Sequence, residues 1–172
     1  MREKKTSKLA LAGIYLAMTM VFLLAGSFVP AVELTLLAAA TAVGAFAIIE
    51  TGIKNGIIFY IAACILGFVI VPNKLVIIPY AMFFGLYPAI KYFAEKLEKP
   101  AAQLTVKFGY FIAVLLIAYF LLFDVFFGSI DLPDWMPVFV IIPAALVMFV
   151  ILDAALTAII NIYFKRVHSK FM

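Results

Sequence analysis

The sequence predicts an all-α, polytopic membrane protein: a six-transmembrane-helix bundle with both termini cytoplasmic. Three observations predict it. Hydrophobic residues fill 68% of the 172 positions and charged residues only 13%, with a mean hydropathy of +1.23, far above the apolar share of a soluble domain. Six apolar runs, ended by charges, prolines or glycines, each approach the ~20 residues that cross ~30 Å of hydrocarbon. The cations segregate: Arg2, Lys4, Lys5, Lys8, Lys54, Lys91, Lys96, Lys99, Lys107, Lys165, Arg166 and Lys170 fall on one side of the alternating runs, and Lys74 alone on the other. Basic residues gather on the cytoplasmic side, and both ends share that side only if the number of spans is even.

Each run is expected to be helical, because backbone groups in lipid must be satisfied within their own segment. The first, about 9–29, follows a basic segment from Met1 to Lys8 as a secretory signal would. It is too long for a signal's apolar core and lacks a clean cleavage site, so a retained helix is expected. The second and third, about 34–50 and 56–72, are short and should extend into their flanks. The fourth, about 75–93, contains Pro79 and Pro88; the fifth covers about 107–127; the sixth, about 137–164, contains Pro143. Such prolines interrupt helices and free carbonyls that can face a cavity, or they simply kink the chain. At this length one domain over 1–172 is expected. The longest inner connection, 92–107, divides it into four helices and two.

Composition also excludes classes of function. A net charge of +4 would suggest nucleic acid in a soluble protein, but here the basic residues sit between apolar runs and read as topology signals, so no nucleic-acid partner is expected. Cys64, the single cysteine, can form neither a disulfide framework nor a cysteine metal site within the chain. The single histidine, His168, lies in the terminal tail, so neither histidine nucleophile activation nor a histidine metal site is expected inside the membrane. Asp124 and Asp153 fall at opposite depths, which argues against an aspartyl pair. No Walker phosphate loop is present. The sequence therefore calls for no cofactor, and an enzyme is the less favoured class.

Three groups of residues could carry function. Ala10, Gly13 and Ala17 recur at three and four on the first helix, a small-residue stripe that permits close approach of another helix, inside the bundle or from a partner. Ala38, Ala40, Ala42 and Gly44 stand in similar relations on the second. A second group is ionisable. Counted from the outer boundaries, Glu50, Lys91 and Asp153 all lie about 24–26 Å deep. This common depth predicts an ionic cluster extended by Thr157 and Asn161, which follow Asp153 at every fourth residue. The alternative is a purely structural Lys91–Asp153 pair, with Glu50 hydrated beside Lys54. In the third group, Tyr80, Phe84, Tyr87 and Lys91 recur at four, three and four, an aromatic face that ends in a cation. Nearer the outside stand Lys74, Asp124 and Trp135, the last placed as an interfacial anchor would be. Glu33, Asp124, Asp131 and Asp134 against Lys74 mildly favour a cationic or neutral ligand.

Six short helices, both ends inside, a basic start and the Gly13/Ala17 stripe together resemble the substrate-binding S component of energy-coupling factor (ECF) transporters. In that family an alanine pair on the first helix docks on a transmembrane coupling subunit; the matching positions here are Gly13 and Ala17, the glycine departing from the pattern. The resemblance implies a vitamin-like small solute captured from outside by helices four to six. It also implies a coupling subunit, two cytoplasmic ATPases and a bacterial-type plasma membrane. Lys74, Tyr80, Phe84, Tyr87, Asp124 and Trp135 are then the pocket candidates by position. The same silhouette fits a small non-catalytic scaffold of the cell envelope, which uses its helices only to bind partner membrane proteins.

Overall fold

The computed structural model describes residues 2–126 and 138–168, and among them every regular element is helical. Helix α1 runs Arg2–Phe28, α2 Glu33–Thr51, α3 Ile53–Ile70, α4 Lys74–Pro79, α5 Tyr87–Ala94, α6 Pro100–Phe126 and α7 Val138–His168, with a 3₁₀ turn at Pro30–Val32 and a π turn at Tyr80–Phe84. Six segments among them are long and apolar enough to cross a membrane; α4, the π turn and α5 together make the fourth, Lys74–Ala94. The first helix starts seven residues before the apolar run, because Arg2, Glu3, Lys4 and Lys5 are themselves good helix formers.

The chain clusters into two units, Met1–Lys107 and Phe108–Met172. In the first, α2 is central, with α1, α3 and the fourth span packed on it. Its buried face explains this: Leu37, Ala40, Val43, Gly44, Ala47 and Ile48 are all inside, and the small ones admit neighbouring helices closely. Gly52 makes the α2–α3 hairpin possible. It is the only residue between the two helices and has φ +92°, a conformation that L side chains rarely adopt, while its N–H closes on Ile48 O at 2.9 Å.

At the opposite end Pro72 stops α3, and Lys74 turns its ammonium back onto the carbonyls of Phe68 and Val71, the latter at 2.8 Å. A cation there satisfies carbonyls left without partners and complements the helix dipole. Asn73 caps α4 by accepting from Leu75 N at 3.0 Å, and its own N–H donates to Ser27 Oγ at 3.2 Å. That bond ties the α3–α4 turn to the last turn of α1, as up-down threading requires.

In the second unit Phe149 of α7 stacks on Phe111 of α6 at 4.6 Å and meets Phe108 edge-on at 5.5 Å. Among its described residues, Phe111, Phe149 and Leu156 are the buried apolar side chains.

Candidate functional site

The fourth span is a broken helix. Pro79 and Pro88 carry no amide hydrogen, so a regular i to i−4 ladder cannot run through the segment. The N–H of Gly85 reaches five residues back to Tyr80 O at 2.7 Å, forming the π turn. The carbonyl of Ala81, which Gly85 would bond in a regular helix, instead accepts the Tyr60 hydroxyl of α3 at 2.6 Å. Gly85 is pressed between two rings: a Cβ there would stand 2.9 Å from atoms of both Tyr60 and Tyr80.

The expected aromatic face lies on this break. Tyr80 is 1% exposed, Tyr87 is fully buried and Phe84 is buried. Phe83, off the expected stripe, links them, stacking on Tyr87 at 5.5 Å and meeting Phe84 edge-on at 5.1 Å. These rings form part of the first unit's core. Of the other pocket candidates, Lys74 is the exposed cap at the end of α3, Asp124 falls in the last turn of α6, and Trp135 lies outside the described residues.

The ionisable residues divide between the units: Glu50 and Lys91 belong to the first, Asp153, Thr157 and Asn161 to the second. Glu50 is half-buried near the end of α2. Lys91 is 2% exposed, with its Nζ 3.0 Å from Glu95 Oε1, and the same carboxylate oxygen lies 3.7 Å from Nζ of Lys107, which is also buried. One carboxylate thus serves two buried cations. Lys96 caps this end with its ammonium 4.4 Å from the centre of the Tyr92 ring. In the second unit Thr157 and Asp153 are half-buried and Asn161 is exposed, with Thr157 Oγ1 donating to Asp153 O at 2.8 Å. Among the described residues no group of three His, Cys, Asp or Glu could hold a metal ion.

On α1 the small-residue stripe is open. Ala10, Gly13 and Ala17 are exposed, and a Cβ on Gly13 would meet nothing within 4 Å. The small residues of α2 behave differently, since Ala40 and Gly44 are buried against their neighbours. Beside the stripe, α1 and α3 diverge to leave a cavity of about 650 Å³. Leu9, Ala12 and Leu16 line it from α1, and Ile58 and Ala62 from α3. Lys8 and Asn55 also line it, and both are exposed.

No known protein family, curated protein or solved structure matches this chain. The first unit offers a packed aromatic break, an ionic knot with one carboxylate and two lysines, and an open face on α1. Only the last presents unfilled surface, and its chemistry is that of helix association. Tyr60, Gly85 and Glu95 are absent from the sequence-derived candidates. Glu95 had a signal, since it follows Lys91 by four residues; Tyr60 had none, because its acceptor is on another helix.

Proposed function

We propose that this chain is the solute-binding subunit of an ATP-driven membrane transporter of the ECF type, with both ends in the cytoplasm and α1 docking on a transmembrane coupling protein. The observation that carries the reading is the exposed stripe Ala10, Gly13 and Ala17. Small residues facing outward let a partner's backbone approach, and van der Waals packing is the main force joining helices in lipid. The interrupted fourth span agrees with a transport role, since broken helices are how membrane proteins place backbone carbonyls inside a protein core. The ATPases and the solute, vitamin-like or otherwise small, belong to the same reading.

A second reading is favoured by one observation. Tyr80, Phe84 and Tyr87 are buried in the first unit's core, and a partner-binding scaffold needs no solute pocket. Copurification from native membranes separates the two. The transport reading expects an ATPase pair and a retained small molecule; a scaffold brings down envelope enzymes and no ligand. In either case Gly13→Leu with Ala17→Leu should reduce partner recovery about tenfold or more, the loss of roughly 1.4 kcal/mol of helix packing. The melting temperature should not change, because the space over Gly13 is open. Undiminished recovery with the double variant excludes α1 as the docking helix.

A further inference from the structure

The cavity between α1 and α3 is a wedge bounded by residues 8–16 and 55–62. Leu9, Ala10, Gly13 and Ile14 are exposed on this part of α1, whereas Thr19, Met20 and Leu23 further along are buried. From Lys8 to Leu16 the wedge is about 12 Å long at the rise of an α-helix.

The lining divides by chemistry. It is apolar except for the ammonium of Lys8 and the amide of Asn55, and it holds no carboxylate. Asn55 uses one amide hydrogen on Thr51 O at 3.0 Å, which leaves its second N–H and its carbonyl oxygen for a ligand. Lys54, the residue before Asn55, is exposed and adds a second cation at this end of α3. An apolar groove whose lining adds one ammonium and one amide fits an amphiphile with an anionic head, and basic pockets between transmembrane helices bind anionic lipid headgroups. We infer that this wedge seats one acyl chain of an anionic phospholipid, with its phosphate on Lys8 and Asn55. The assignment does not depend on the transport reading, and the stripe Ala10, Gly13 and Ala17 points elsewhere around α1, sharing only Gly13 with the wedge.

The test is native mass spectrometry of the full-length protein after detergent exchange. The probes are phosphatidylglycerol and phosphatidylcholine with identical chains, and inorganic phosphate as competitor. One phosphatidylglycerol should be retained, phosphatidylcholine should be retained less, and phosphate should not displace the lipid. Lys8→Glu and Lys8→Gln should each weaken retention about fivefold or more, the worth of one basic side chain at a membrane surface. Ala12→Phe, which fills the slot, should abolish retention while the Gly13 face still recovers its partner. Equal retention of both lipids, displacement by phosphate, no response to either Lys8 variant, or a bound protein in place of lipid each overturns the assignment. Any variant with a lowered melting temperature is replaced by Leu16→Phe, which fills the same slot.

Discussion

Gly85→Val should destabilise the first unit by about 1–3 kcal/mol or more, the cost of forcing methyl groups into a filled core. Even the first added carbon would lie 2.9 Å from ring atoms of both Tyr60 and Tyr80. Neither ring can yield easily. Tyr80 is buried on the π turn, and the hydroxyl of Tyr60 is committed to the Ala81 carbonyl. Melting of the detergent-solubilised protein measures the effect, and a double-mutant cycle assigns it. Tyr60→Leu removes one of the clashing rings and should recover part of the loss caused by Gly85→Ala, a coupling expected of residues in contact. Tyr60→Phe keeps the ring and should recover nothing, while adding about 1 kcal/mol for the lost bond to Ala81. Additive effects in the first cycle would mean that the ring contact is not the cause.

Glu95→Ala should cost about 1–3 kcal/mol, because it takes a carboxylate from two buried ammonium groups at once. A buried charge deprived of one of its partners is more harmful than a missing charge. Lys91→Met should therefore be milder than Glu95→Ala: the methionine fills similar volume, and the carboxylate left behind, at 40% exposure, stays hydrated. Removing Lys99, exposed in the same connection, should change stability by less than about 0.5 kcal/mol. Detergent-phase melts of the three variants give the order, and Lys91→Met proving worse than Glu95→Ala would refute this account of the ionic knot.

The spans were legible because lipid imposes a one-dimensional rule. About twenty apolar residues bounded by charge make a crossing whatever surrounds them. The boundaries were less so. Helix α1 continues into Arg2–Lys5, where hydropathy stops but helix propensity does not. Pro79 and Pro88 announced an interruption in the fourth span, yet its form depended on Tyr60, twenty-one residues from the carbonyl it satisfies. Depth counting predicts one level for Glu50, Lys91 and Asp153, but depth carries no information about direction around a helix. Lys91 pairs with Glu95 one turn along its own segment, which an i, i+4 reading would have found. Small-residue spacing was equally ambiguous. The same pattern is buried on α2 and open on α1, and only packing tells them apart.

The central claim is that this polypeptide threads a membrane six times and that its lysine-rich segments share one face. Single cysteines in a Cys64→Ala background test it, labelled by a membrane-impermeant maleimide in intact cells and then in inverted vesicles. Ala31→Cys, Pro72→Cys and Ser129→Cys should react from outside, whereas Thr6→Cys, Lys54→Cys, Lys99→Cys and Ser169→Cys should react only in inverted vesicles. Labelling of Thr6→Cys and Ser169→Cys from opposite faces would contradict it.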